Sequence, residues 1–250
     1  MKKSFLKNDR PLLTAMICCA TPKECIEKIG LSLAEGAEAI GVQLEWLKRE
    51  YRTKTNLKKI FDACGDAPIY VTSYRDGESR GLGDDLLGDL LVDAISSGAD
   101  MADVMGDIYD ERPNFDLSIT YMSVGRQILL IQRIHRLGGE VMISCRLNRE
   151  YSIPEYEMLA SDQVTRGADL LGIFNRSEKR LNASDYVKAV DRISKTLGKR
   201  LQLEICGAPL SEISSAGGLI MHRCVQSHGE FDDARLPLLK DIKALRDREG

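Results

Sequence analysis

The sequence has no block of like charge, no long apolar stretch and no paired-cysteine spacing, and each gap removes a class of function. Lysine and arginine number 35 against 38 acidic residues, a formal charge of -3. Nothing tracks a phosphate backbone, so nucleic acid is not an expected partner. No segment is apolar for long enough to span a bilayer, and no membrane contact is expected. The first seven residues carry Lys2, Lys3 and Lys7 but run into Asn8-Asp9-Arg10-Pro11 without the apolar stretch of a secretory signal, so a cytoplasmic location is expected. The seven cysteines are odd in number and form no C-x-x-C pair, which predicts reduced thiols packing as small hydrophobes. Only three histidines occur, and His222 and His228 lack the i, i+4 spacing of a helical zinc motif. The Gly77 to Gly83 stretch has neither G-x-G-x-x-G nor a Walker lysine, so it reads as a lid or a turn.

What the chain does have is a regular alternation of short apolar runs with longer segments of helical periodicity, the pattern of βα units around a parallel sheet. Eight strands are predicted: Leu12 to Cys18, Ala39 to Leu44, Pro68 to Ser73, Met101 to Val104, Glu140 to Cys145, Asp169 to Phe174, Arg200 to Ile205 and Gly218 to Cys224. Most are apolar throughout, as strands covered on both faces are. Thr21-Pro22-Lys23-Glu24 predicts a capped helix start, and Gly36, Gly98, Gly139 and Gly167 predict helix ends. Glu35-Gly36-Ala37-Glu38, Ser97-Gly98-Ala99-Asp100 and Arg166-Gly167-Ala168-Asp169 are one device used three times, a glycine stop and a short turn into a strand. A long helical stretch from Asp116 to Leu137 is expected to press Ile128, Leu129, Ile131 and Ile134 against the core and to give His135 a packing role. With no linker or low-complexity tract, residues 1–250 are expected to form a single α/β domain, a (β/α)8 TIM barrel.

Such barrels build their chemistry at the C-terminal ends of the strands, where side chains alternate inward and outward. The inward set predicted there is Gln43 and Glu45, Thr72 and Tyr74, Asp103 and Met105, Ser144 and Arg146, Gly172 and Phe174, and Glu204 and Cys206. Glu45, Glu78, Asp103, Glu204 and Glu230 would crowd carboxylates around one rim, and like charges that close need a cation, a bound proton or an arginine to offset them. A divalent cation such as Mg2+ or Mn2+, an amine-bearing substrate, or pairing with Arg75 and Arg146 would each do so. The residues leave these open. His228, in the loop before the last helix, could act as an acid or base.

Several segments carry a family resemblance in register. Glu35-Gly36-Ala37-Glu38 running into Gly41, Gln43 and Glu45 resembles the second strand of type I 3-dehydroquinate dehydratases, GAD followed by E-x-R-x-D. Thr72-Ser73-Tyr74 with Glu78 is similar to the third strand, T-x-R with a glutamate four residues on. Ser97 to Val104 resembles the fourth, with Asp103 as its acid. Ile143-Ser144-Cys145-Arg146 is similar to the fifth-strand S-x-H, Gly167 to Ile173 to GAD-x-x-K-I, and Ser227-His228-Gly229-Glu230 to the terminal loop. The resemblance spans essentially the whole chain and implies the same barrel. It also marks departures. The imine-forming lysine of the family corresponds to Gly172 and its proton-moving histidine to Arg146, and neither can do that work. Gln43, Tyr74 and, on a looser alignment, Glu212 stand where carboxylate-binding arginines are expected, leaving Arg75 and Arg146 for such contacts.

These readings predict an enzyme, a lyase or isomerase acting on a small polyhydroxylated carbonyl compound without a Schiff base. Glu45, Glu78, Asp103 and Glu204 are the candidate bases or cation ligands, and Arg146 the group that stabilises an enolate. Gln43, Tyr74, Arg75, Ser144, Asn175, His228 and Glu230 are the candidate substrate contacts. No cofactor is required beyond the possible Mg2+ or Mn2+. Two alternatives stand beside this: a non-catalytic barrel that binds a ligand or partner, and an authentic 3-dehydroquinate dehydratase. A homodimer is implied by the resemblance alone.

Overall fold

The computed structural model of the protein describes residues 2–149, 151–175, 183–205, 220–228 and 236–249. Among the described residues eight strands occur: β1 (Leu12–Ile17), β2 (Ala39–Gln43), β3 (Ile69–Thr72), β4 (Met101–Met105), β5 (Glu140–Leu147), β6 (Leu170–Asn175), β7 (Arg200–Ile205) and β8 (Met221–Cys224). They form one sheet in the order β7-β6-β5-β4-β3-β2-β1-β8. Among the described residues seven α-helices alternate with them: α1 (Pro22–Glu35), α2 (Lys54–Asp62), α3 (Asp84–Ser97), α4 (Tyr121–Arg136), α5 (Ile153–Thr165), α6 (Ala183–Leu197) and α7 (Leu239–Glu249). This is the (β/α)8 barrel that the alternation predicts. The chain divides into two compact units, Met1–Asp103 with Ile134–Glu140 and Met221–Gly250, and Val104–Arg133 with Val141–Ile220.

The first unit contains β8, β1, β2 and β3, joined by parallel pairing, and most of β4. All six residues of β1 are buried, which is why the strand reads as an unbroken apolar run. At α1 the predicted start is present in full: Thr21 caps, Pro22 opens the helix, and Glu24 reaches back to the cap N–H groups. The repeated glycine device has a purpose beyond stopping helices. Gly36 (φ 110) and Gly98 (φ 129) take positive φ, and the acid two residues on ties the turn to a strand start. Glu38 accepts from the N–H of Leu13 at 3.0 Å, and Asp100 from those of Lys3 and Ile69 at 2.8 and 2.9 Å. These ties lie at the N-terminal ends of the strands, where a barrel invests in stability.

The lysine-bearing first residues are a strap across the same end of this unit. Lys2 Nζ donates to the carbonyls of Ile95 (2.6 Å) and Ala99, and Lys3 Nζ to those of Gly65 and Ala67 (3.1 Å). Phe5 is fully buried, edge-on to Tyr70 with centroids 6.5 Å apart. One predicted helix stop is corrected. Gly138, not Gly139, takes the positive φ (77); Gly139 is required because a Cβ there would meet Ile95 at 2.9 Å.

The second unit holds β5, β6 and β7 in parallel register, and its Gly167 (φ 99) and Asp169 repeat the device, with Asp169 accepting from Val141 N–H at 2.9 Å. Here the expected helix from Asp116 is corrected to a start at Tyr121. Residues 116–120 stay in the preceding loop, held by Ser118 N–H on the Gly106 carbonyl (2.9 Å) and by Arg166, which donates to the Ser118 hydroxyl (3.0 Å), the Ser118 carbonyl (2.7 Å) and Gln127 Oε1 (2.8 Å). The expected stripe on α4 is also rotated. Ser123, Gln127, Leu130, Ile131 and Ile134 are buried, whereas Leu129 and His135 are exposed and Ile128 is half-buried. The cause is polar: Gln127 faces inward to donate to the Met105 and Gly106 carbonyls (2.9 and 3.2 Å), a role that hydrophobicity cannot reveal.

The six described cysteines are buried, and none of them is in a disulfide with another. Burial pushes the thiols of Cys64 and Cys224 up to about 12, so neither is a nucleophile near neutral pH. Cys206 lies outside the described residues. Among the described residues no helix is long and apolar enough to cross a membrane.

Candidate active site

In the first unit, two buried carboxylates stand at the C-terminal ends of strands. β2 ends at Gln43 and passes into a single 3-10 turn, Leu44–Trp46, that carries Glu45 inward. Glu45 is 1% exposed, and Thr72 Oγ1 lies within 2.9 and 3.0 Å of its two carboxylate oxygens, with Gln43 Nε2 at 3.5 Å. Half-buried Arg52 braces this turn by donating to the carbonyls of Leu47 (2.7 Å) and Glu45 (3.0 Å) and to the Ser79 hydroxyl (2.9 Å). Burial lowers the Arg52 pKa, against the pull of Glu45.

On β4, Asp103 is fully buried, and the hydroxyls of Tyr70 and Tyr74 both donate to its Oδ2. Tyr70, Thr72 and Tyr74 alternate along β3 and just beyond it, so one face of this segment addresses both acids. Burial, then the charge of Asp103, pushes the Tyr70 phenol well above its ordinary pKa, so it remains a donor. Two donors on one oxygen fix the orientation of the carboxylate.

The other predicted residues of this unit have contacts of their own. Arg75 makes a two-pronged ion pair with Asp84 at the start of α3, with Nε–Oδ1 2.8 Å and Nη2–Oδ2 2.7 Å. Glu78 is exposed on the 3-10 turn Gly77–Ser79, and its carbonyl accepts from Arg49 Nε at 2.7 Å. That stretch is a turn packed on Glu45: Gly77 has φ 51, and a Cβ there would come within 2.7 Å of the Glu45 carbonyl oxygen. His228 is exposed, with Nε2 at 2.9 Å from the Leu236 carbonyl. Glu230 and Glu212 lie outside the described residues.

In the second unit, Ser144 on β5 is 3% exposed, and its hydroxyl has no hydrogen-bond partner among the described residues. Arg146 is half-buried, with its N–H on the Phe115 carbonyl at 3.0 Å. Asn175, at the end of β6, donates to the Tyr156 hydroxyl. Gly172 pairs with Ser144 and Gln202, and a Cβ on it would lie 3.0 Å from the Ile143 carbonyl oxygen and from Ser144 Cα and Cβ. A side chain at position 172 would therefore require β5 or β6 to give by a few tenths of an ångström. Lys48 is exposed; Lys179 and the side chain of Glu204 lie outside the described residues.

Sequence reasoning missed Tyr70 and Arg52. Tyr70 was accessible, since it shares parity with Thr72 and Tyr74. Arg52 was not, because its main partners are backbone carbonyls. Among the described residues no group of three or more His, Cys, Asp or Glu side chains is disposed to hold a metal ion.

No protein-family model matches the chain, and no curated protein matches its sequence. Solved structures do match in fold. The 3-dehydroquinate dehydratase of Geobacillus kaustophilus superposes with a TM-score of 0.77 at 10% identity, covering 96% of this chain and 91% of the other. The type I enzyme of Clostridium difficile gives 0.74 at 15%, covering 97% and 93%. The deoxyribose phosphate aldolase of Aeropyrum pernix gives 0.58 at 11%, covering 95% and 91%. Identities this low establish the shared barrel and nothing finer.

Proposed function

We propose that this barrel is a lyase or isomerase that moves protons on a small polyhydroxylated carbonyl compound without forming an imine. What carries the reading is the pair of desolvated, hydrogen-bonded carboxylates, Glu45 and Asp103, at the strand ends of the first unit. Burying a carboxylate is costly, and buried, hydrogen-bonded acids at the strand ends of a barrel are candidates for chemistry. Glu45, oriented by Thr72 and Gln43, is the base that takes a proton from the carbon beside the carbonyl. Tyr74 and Asp103 form the second proton-handling group: as the phenol oxygen accepts a proton, its own passes to Asp103 across their existing hydrogen bond. An enolate would be the common intermediate of isomerisation and of elimination. Loss of a hydroxyl as water restores the balance once the proton held by Glu45 is returned. Substrate contacts by Gln43, Arg75 and His228 of the same unit are a separate proposal.

The lack of an amine at Gly172 supports the imine-free chemistry over an authentic dehydratase. The near-complete burial of both acids favours one other reading, a barrel that has kept the carboxylates and lost turnover. Deuterium uptake in D2O, followed by proton NMR on a panel of ketoses and keto-sugar acids together with 3-dehydroquinate, separates these. The expected result is exchange beside the carbonyl of at least one compound, reduced about a hundredfold or more in Glu45→Gln. Exchange that survives both Glu45→Gln and Asp103→Asn unchanged, or no exchange with any compound, would remove the catalytic reading. Borohydride trapping of a 3-dehydroquinate adduct would restore the imine.

A further inference from the structure

Tyr70 has no part in the proton path proposed above, yet it donates to Asp103 Oδ2, the same oxygen that Tyr74 serves. Burial separates the two phenols. Tyr70 and Asp103 are 0% exposed and Tyr74 is 4% exposed, so of the three only Tyr74 keeps surface for a bound molecule to meet. Tyr70 stands behind the acid, and what it can supply there is alignment. The outer torsion of an aspartate is broad, so one donor leaves the carboxylate free to swing about its hydrogen bond. A second donor on a fixed ring removes that freedom.

The Tyr70 ring is held from two directions. Gly41 of β2 pairs with Tyr70 in the sheet register, and a Cβ on Gly41 would run into Met16 Sδ and lie 3.1 Å from Tyr70 Cδ1. The glycine therefore leaves its side-chain space to Met16 and the ring. Phe5 meets the ring edge-on, at an interplanar angle of 68°, and is itself tied down. Its N–H donates to Glu140 Oε2 at 2.9 Å, and the Ser4 hydroxyl donates to the other oxygen of that carboxylate. We propose that Tyr70 is a positioning residue, which holds Asp103 Oδ2 in line with the Tyr74 hydroxyl, and that the N-terminal strap reaches the chemistry through Phe5 and this ring. The proposal rests on Tyr74 and Asp103 being the proton-handling pair. Transfer across a preformed hydrogen bond depends on its alignment, since a misplacement of about 1 Å can cost roughly a hundredfold in rate.

Deuterium uptake from D2O on the same panel of compounds, 3-dehydroquinate included, gives one test on the full chain. Tyr70→Phe, which keeps the ring, should lower kcat about tenfold and leave KM unchanged, because Tyr70 touches no substrate. Phe5→Leu should lower kcat about threefold in the wild-type background and leave it unchanged in Tyr70→Phe, since Phe5 acts only through the phenol. A purely structural role would give losses that add. Proton NMR in water gives a second test that needs no substrate. The Tyr70 and Tyr74 hydroxyl protons, held on a buried carboxylate, should appear as two slowly exchanging signals downfield of the backbone amides, each lost when its own tyrosine becomes phenylalanine. In Tyr70→Phe, and to a smaller extent in folded Phe5→Leu, the Tyr74 signal should shift and exchange faster with water. An unchanged kcat in Tyr70→Phe, additive losses in the double variant, or a Tyr74 signal that Tyr70→Phe does not move would each overturn the assignment. If wild type takes up no deuterium on any compound, the catalytic reading fails by itself, and the NMR result decides whether Tyr70 aligns Asp103 with Tyr74.

Discussion

Replacing Gly172 by alanine adds one methyl group and tests how closely β6 packs on β5. The new Cβ would lie 3.0 Å from the Ile143 carbonyl oxygen and Ser144 Cα, both backbone atoms of the neighbouring strand, and 3.0 Å from Ser144 Cβ. No flexible side-chain end is there to swing aside, so β5 or β6 must shift by a few tenths of an ångström. Overpacking of this kind costs about 1–3 kcal/mol, and for a chain of this length each kcal/mol lowers Tm by roughly 2–4 °C. A calibrating control is Gly30→Ala. It is the same chemical change inside α1, where nothing lies within 4 Å of the new Cβ, and it should stabilise by about 0.5–1 kcal/mol through helix propensity and a less flexible unfolded chain. Scanning calorimetry on both variants should give opposite signs. A Gly172→Ala protein as stable as wild type would mean that the strand pair has room, and the steric case against a side chain at this position would fail.

Glu38 governs part of the acid response. Burial raises its pKa, but hydrogen bonds from Arg246 (2.8 Å), Arg10 (2.6 Å) and the Leu13 N–H (3.0 Å) outweigh this and hold it at about 2. Since the unfolded value is about 4.3, its contribution is complete above that pH and is lost as pH falls toward 2. Glu38→Gln should flatten that part of the acid-unfolding curve, and a superimposable curve would contradict the assignment. His222 has its pKa lowered by burial and then by Arg246, so stability should also fall as pH drops below about 6.5, the ordinary histidine value. This step should be missing from His222→Gln in pH-dependent urea melts. Phe5→Ala should cost about 3–5 kcal/mol as a fully buried aromatic is truncated, and a urea midpoint within error of wild type would show that the N-terminal strap is not part of the folded core.

The sequence alone determined the barrel. Eight apolar strands, their helix caps and the repeated glycine-acid turns are local signals: strand burial on both faces, a capping box and a positive φ can each be read over a few residues. It also determined that position 172 has no amine, and that Glu45, Tyr74 and Asp103 share the inward parity. Tertiary structure decided what those side chains face. The acids read as one crowded rim separate into Asp103 between two phenols, Glu45 on Thr72, and an exposed Glu78, because a partner's identity depends on strand neighbours that lie dozens of residues away. Arg75 turned to Asp84, α4 rotated its buried stripe around Gln127, and Arg52 braced a turn through carbonyls. Such contacts are polar, directional and long in sequence separation. Periodicity records how often a side chain is buried, and it carries no information on which single atom awaits it there.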